Sequence, residues 1–178
     1  GTPGYRRPDE PLDAEVAVIH GLGLEIRYGT RAGVGVSMDD MKKDDAALYM
    51  GIGAHEGWTL GIPGEEGDGV MSAVEFLNKV NGGEAMDITG KKVLVIGGGN
   101  SAVDAARVSW RMGAESQIVY RRTREEMPAE EEEIDDTLEE GINIEYLTAP
   151  VEIVRDGGKI TGLKCIRMEL GEPDDSGR

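Results

Sequence analysis

The stretch KKVLVIGGGNSAVDAARVSW, residues 91–110, restricts the fold of this chain more than any other. Val93, Leu94, Val95 and Ile96 form a short unbroken apolar run, the pattern of a strand covered on both faces in a parallel sheet. The chain then turns on Gly97, Gly98 and Gly99. Gly97 suits a tight turn, Gly99 leaves room for a pyrophosphate to approach the backbone, and Ala102 is small enough for the next helix to pack on the strand. A helix opening at Asn100 and Ser101 aims backbone N–H groups and the positive end of its dipole at the turn, which favours a bound anion. Val103, Ala106 and Trp110 recur at helical spacing, and Gly113 stands where the helix is expected to end.

A second strand, Ser116 to Tyr120, completes the start of a βαβ unit. An NAD site places an acidic residue at this strand end, about 20 residues beyond the glycines, to bind the ribose hydroxyls. This chain has Tyr120-Arg121-Arg122-Thr123-Arg124 instead. Arginines there suit the 2′-phosphate of NADP, which a guanidinium binds in bidentate fashion. The plainer alternative, arginines that solvate a strand end, applies most readily to Arg124.

The chain has 178 residues, and its net charge of −16 argues against nucleic acid or an anionic membrane surface as a partner. Much of that charge lies between Glu130 and Glu140, read as a solvated helix face with Ile134 and Leu138 turned inward rather than as a metal site. The single cysteine, Cys165, excludes an internal disulfide and an iron–sulfur cluster held by this chain alone. Its neighbours place it in a strand as a small hydrophobe. His20 and His55 lack ligand spacing, so neither a metal nor a catalytic triad is expected, and Trp58 and Trp110 are read as packing residues. With no apolar run near the length of a membrane span, a cytoplasmic, soluble protein is expected.

In chain order, a Pro/Gly-rich start leads into a helix from about Asp9, with Leu12, Val16 and Ile19 on one side and Gly21 and Gly23 at its end. Strands are expected at Leu24 to Tyr28 and Ala46 to Ile52, with a short helix capped by Ser37 between them. Residues 54–69 read as a crossover between two domains, with the boundary near Gly61. A helix follows from Met71 to Val80, and Ile142 to Leu147 forms a third strand. Val151 to Arg155 and Lys159 to Leu170 read as a hairpin around Asp156-Gly157-Gly158.

The stretches GTPGYRRP, GIGAHEGWTLGIPGE, AVEFLNKVN, VLVIGGGNSAVDAAR, VYRRTREEMPAE and MELGEPDDSGR resemble the middle part of the small subunit of NADPH-dependent glutamate synthase. That family includes the electron-input region of dihydropyrimidine dehydrogenase and ferredoxin–NADP flavoprotein subunits. The resemblance implies an α/β fold, a Rossmann-like parallel sheet with helices on both faces, beside a small α/β remnant of an FAD domain. It divides the chain into residues 1–61, the FAD-domain remnant, and 62–178, an NADPH domain incomplete at its C-terminus. It also implies an NAD(P)H-dependent oxidoreductase in which a hydride passes from NADPH to FAD and electrons leave toward iron–sulfur clusters or a glutamate synthase large subunit.

Carried over by motif, Gly97, Gly98, Gly99, Asn100 and Ser101 would contact the NADPH pyrophosphate, with Arg121, Arg122 and Arg124 near its 2′-phosphate. Arg6, Ala32, Gly51 and Gly53 would match the family's FAD contacts. No catalytic residue is assigned, because the chemistry belongs to the flavin. The chain lacks an upstream G-x-G-x-x-G for the FAD pyrophosphate, so by itself it is expected to be inactive, to bind no flavin and to form a homodimer across an uncovered first strand. Two other readings compete: a non-catalytic dinucleotide-binding or regulatory module, and a structural domain whose glycines serve packing alone.

Overall fold

The computed structural model describes residues 2–44 and 47–171. They fall into two units, Gly4–Ala54 and the stretch from His55 onward, the latter taking in the residues before Gly4. In the first unit α1 (Asp9–Gly21) carries Asp9 and Glu10 in its first turn, where the helix dipole favours them. None of its residues is buried. The short α2 (Met38–Asp44) starts at Ser37, whose Oγ accepts the Asp40 amide at 3.1 Å, the cap expected from sequence.

The two strands expected in this unit do not form. Residues 24–28 and 47–52 carry no strand pairing, Ala46 lying outside the described residues, and the bridge described here joins Ala32 to Val36. A β-prone run becomes a strand only when a neighbour takes its backbone groups, and local propensity cannot supply that neighbour.

The second unit begins with α3 (Ala73–Asn81), capped by Ser72, whose side chain accepts the Glu75 amide at 3.1 Å. Phe76 and Leu77 are its buried residues. Next come β1 (Lys92–Ile96), α4 (Asn100–Arg111), β2 (Glu115–Val119), α5 (Glu131–Glu139) and β3 (Asn143–Glu145). The three strands form a parallel sheet in the order β1-β2-β3, with Ile96 opposite Val119 and Ile118 opposite Ile144. The parallel sheet and its connecting helices are those expected of a Rossmann-like fragment. The core gathers Val103, Ala106, Ile118, Tyr120, Met127, Ile134, Ile142 and Ile144. Full burial of a side chain such as Ile118 contributes roughly 1.5–3 kcal/mol.

Cover on both faces of β1 is not what the structure shows. Val95 packs against the core, whereas Leu94 is 44% exposed. Among the described residues β1 borders the sheet, paired with β2 along one side.

The hairpin of β4 (Thr148–Asp156) and β5 (Lys159–Arg167) turns on Gly157 and Gly158, with φ of +54° and +84°. Positive φ at both turn residues matches the twist of the strands, and glycine adopts it without strain. Residues 62–68 are tied to this hairpin. The Ile153 amide donates to the Pro63 carbonyl at 2.8 Å, and Arg155 donates to the carbonyls of Gly64 and Asp68 at 2.8 and 2.9 Å.

The acidic block is only partly a solvated face. Ile134 is buried as expected, but Thr137 takes the second inward position and Leu138 is 39% exposed. Residues three apart share this face, and Leu138 lies a further 100° around the helix. On the side toward α4, Arg107, itself 5% exposed, is held by Glu133, by Asp136 at 3.1 Å and by Glu140 at 2.6 Å. Arg111 reaches the same Glu140 oxygen at 2.7 Å. The tryptophans do not pack as expected. Trp58 is 98% exposed, and Trp110 is 43% exposed beside the Arg111 guanidinium, 5.9 Å from its ring centroid. Arg107 rather than Trp110 is the large side chain that α4 buries here.

Burial opposes ionisation of Glu140, but the hydrogen bonds and charges of Arg107 and Arg111 outweigh it and hold the carboxyl below its ordinary value of 4.5. A carboxylate whose pKa is depressed by folding adds stability that is complete above the unfolded value and is lost as pH falls through the lower folded value. Replacing Arg107 by Ala is expected to cost about 3 kcal/mol at pH 7, because it leaves three carboxylates facing one another. Urea unfolding at pH 7 and near pH 3 measures this, and the deficit of the variant should shrink at the lower pH. An equal deficit at both would show that lost packing, not charge pairing, is the cause.

Candidate functional site

The glycine turn joins β1 to α4 at the C-terminal end of the sheet, and each glycine meets a different constraint. Gly97 has φ of +135°, which side-chain-bearing residues rarely adopt, and its amide donates to Val119 at 3.1 Å. Gly98 is buried under Tyr120, so that a Cβ there would lie 2.5 Å from the ring. Gly99, the residue before α4, has ordinary extended backbone at φ −91° and ψ 172°. A Cβ added to it would meet nothing closer than Pro128, at 3.8 Å. Packing therefore dictates glycine at 98, whereas at 99 a Cβ would fit in ordinary contact with Pro128.

Gly99 stands at the N-terminus of α4. The amides of Ala102 and Val103 donate back to the Gly99 carbonyl, while those of Asn100 and Ser101 take no backbone acceptor among the described residues. Such amides, with the helix dipole behind them, attract anions. The Asn100 side chain is already engaged: its Oδ1 accepts the Glu130 amide at 3.0 Å.

The arginine turn stands next to it because β1 and β2 run parallel and end together. Its backbone is fixed on several sides. Tyr120 donates to the Glu145 carbonyl at 2.9 Å, Thr148 donates to Tyr120 and Leu147 to Arg122, both at 3.0 Å. Leu147 makes its bond at φ +50°, the corner between β3 and β4. The Tyr120 hydroxyl donates to Glu126 at 2.7 Å, and the Ala129 amide to Gly98 at 3.1 Å, which folds residues 124–130 back onto the glycine turn.

On this frame the three arginines differ. Arg121 is exposed and makes no ion pair among the described residues. Arg122 lies 3.8 Å from Glu126, and Arg124 is bound by Asp135 of α5. The hydrogen bond from Arg124 to Asp135 raises the arginine's pKa further and fixes its charge. The structure thus brings Gly97, Gly98, Gly99, Asn100 and Ser101 together with the turn that bears Arg121, Arg122 and Arg124.

Arg6, Ala32, Gly51 and Gly53 belong to the other unit. Arg6 is half-buried, Ala32 bridges to Val36, and Gly51 and Gly53 stand in exposed backbone. Sequence reasoning missed Tyr120 as the cover of Gly98 and Asp135 as the partner of Arg124. The i,i+4 spacing of Arg122 and Glu126 could have shown their pairing, but no local signal joins residues 124 and 135.

Among the described residues no cluster of His, Cys, Asp and Glu suits a metal, and no helix is long and apolar enough to cross a membrane. Cys165 is partly buried, and burial pushes its thiol pKa above the ordinary value, as suits a packed rather than a reactive cysteine.

Residues 13–173 match the model of the pyridine nucleotide-disulphide oxidoreductase family. The chain is 42% identical, over its whole length, to 26% of the NADP(+)-dependent formate dehydrogenase subunit beta of Moorella thermoacetica. It is 34% identical, again over its whole length, to 40% of the glutamate synthase [NADPH] small chain of Escherichia coli. It therefore spans about a quarter to two fifths of the length of these relatives, both of which are named as parts of larger assemblies. In fold it is similar to FprA from Mycobacterium tuberculosis, with a TM-score of 0.73 and 20% identity over 96% of this chain and 55% of that one.

The contrast between Gly98 and Gly99 gives a direct check. Gly98→Ala should destabilise the chain by roughly 1–3 kcal/mol by pushing Tyr120 off its seat. Gly99→Ala should stay within about 0.5 kcal/mol of the parent. Thermal and urea unfolding of the two variants test this; equal losses would mean that position 99 is packed after all.

Proposed function

We propose that this chain, which belongs to the pyridine nucleotide-disulphide oxidoreductase family, is the NADPH-binding section of a flavin-dependent oxidoreductase. In the complete protein electrons pass from NADPH through FAD toward iron–sulfur clusters, as the likeness to a glutamate synthase small chain supports. The observation that carries the reading is a glycine at 99 where a Cβ would fit without a clash, in ordinary contact with Pro128. Neither backbone angle nor packing asks for glycine there, and it directly precedes the Asn100 and Ser101 amides, which take no backbone acceptor among the described residues. A pyrophosphate fits such a cradle in shape and charge.

In this reading Gly97 and Gly98 shape the turn, and Gly99, Asn100 and Ser101 present backbone N–H groups to the phosphates. Arg121 and Arg122 take the 2′-phosphate, with Arg124 beside them. The bound cofactor supplies a hydride, and the chain supplies binding and orientation. Residues 62–178 form the NADPH domain, and the bonds that tie residues 62–68 to the β4–β5 hairpin support placing that stretch in it. Residues 1–61 form the flavin-side remnant, in which Arg6, Ala32, Gly51 and Gly53 serve FAD in the complete protein. Exposed Val18, Tyr28, Val34 and Tyr49 support that assignment, being surface that a larger domain would cover. The protein works in the cytoplasm, beside an iron–sulfur or glutamate synthase large-subunit partner.

Isothermal titration of the chain with NADPH and NADH tests the reading. NADPH should bind more tightly, and replacing Arg121 and Arg122 together by Ala should remove most of the difference, since charge-assisted hydrogen bonds contribute about 1.5–3 kcal/mol each. Gly99→Ala should weaken both nucleotides at unchanged stability. Equal affinities in the parent would sink the arginine assignment, and no binding of either would favour a purely structural domain.

The isolated chain forms a homodimer through β1, whose outer backbone groups invite a second strand. Light scattering on a dilution series should show dissociation; a monomer at every concentration would refute the pairing.

A further inference from the structure

We infer that Asp135, on α5, is a specificity-determining residue that weakens the hold of this site on a 2′-phosphate by occupying Arg124. The inference rests on the NADPH reading of the same site. It starts from the unequal state of the three arginines. Arg121 is exposed and without an ion pair among the described residues, and Arg122 is 3.8 Å from Glu126. The Arg124 Nη2 is bonded to the Asp135 Oδ1, although both side chains remain partly open, at 35% and 53% exposure.

A phosphate that binds arginine in bidentate fashion uses two N–H groups along one edge of the guanidinium. At Arg124 a carboxylate already takes part of that set. A 2′-phosphate arriving there must displace Asp135 or sit close to its negative charge, and either outcome reduces the gain.

Asp135 cannot drift aside easily, because its helix is anchored. The residues on either side along α5, Glu133 and Asp136, and Glu140 just beyond it, are all bound to Arg107. The carboxylate therefore stands on a fixed support next to the arginine turn. Its effect falls on ligands that carry a 2′-phosphate, while contacts to the pyrophosphate at Gly99 are left alone. Arg121 and Arg122 remain as the arginines that discriminate, and Arg124 is a reserve that Asp135 keeps out of use.

The test uses the whole chain and two probes that differ in the one group at issue, 2′,5′-ADP and 5′-AMP, titrated calorimetrically at low salt. Asp135→Asn keeps the shape of the side chain and leaves the Arg107 ion pairs in place. It should tighten 2′,5′-ADP by roughly two- to fivefold, the range of one exposed ion pair, and leave 5′-AMP unchanged. The gain should shrink at high salt, where exposed charges are screened.

Arg124→Ala should weaken 2′,5′-ADP less in the parent than in the Asp135→Asn background, where it should cancel the gain, a coupling that a general structural effect would not produce. If Asp135→Asn leaves 2′,5′-ADP unchanged or weakens it, or if Arg124→Ala abolishes binding in the parent, the role given to Asp135 is wrong. A parent that binds both probes equally overturns the NADPH reading instead. A parent that prefers 2′,5′-ADP without responding to Asp135→Asn refutes this inference alone.

Discussion

The contact between Gly98 and the ring of Tyr120 is the point on which the described site depends. A glycine is needed because any Cβ would enter the ring, and Tyr120 is buried because the glycine lets it lie there. From that contact the rest is built outward. The tyrosine hydroxyl holds Glu126, the Gly98 carbonyl holds Ala129, and Asn100 holds Glu130. Two loops that follow adjacent parallel strands thereby become one surface. Backbone groups of the glycine turn lie beside the arginine turn in a fixed relation, which is what recognition of a molecule with two separated phosphates requires.

Charge pairing fixes the second relation, that of α5 to α4. The chain carries 35 acidic residues against 19 basic ones, so carboxylates compete for few cations. Arg107 and Arg111 draw in Glu133, Asp136 and Glu140, and this sets the rotation of α5 about its axis. Ile134 and Thr137 turn inward as a result, and Asp135 is directed to Arg124. One buried arginine thus links helix packing to the electrostatics of the arginine turn. An ion pair of this kind is weak evidence for net stability, because both partners lose hydration, but it is an effective constraint on orientation.

The unit Gly4–Ala54 shows the opposite condition. Its helices form where capping and dipole effects suffice, yet α1 buries nothing, and its Leu12, Val18 and Ile19 are exposed. Ser37 can cap a helix without help from distant residues. A strand has no such local route to satisfying its backbone, and residues 24–28 and 47–52 accordingly form no strand in the described structure.

What the sequence determined by itself is what a few neighbouring residues can enforce. The glycine turn followed by a helix, the Ser37 and Ser72 caps, and the two-glycine hairpin at 157–158 were legible because each is fixed by local dihedral preference or a hydrogen bond within a few positions. The arginine turn was legible too, since the length of a βαβ unit places it. Only the tertiary structure decided which groups share an environment: that Tyr120 covers Gly98, that Thr137 and not Leu138 turns inward, that Arg107 is buried among carboxylates while Trp110 is open, and that Arg124 belongs to Asp135. The reason is range. Dihedral preferences and caps act over a turn or two of chain, whereas ion pairs and strand pairing depend on which distant segments the packing brings together.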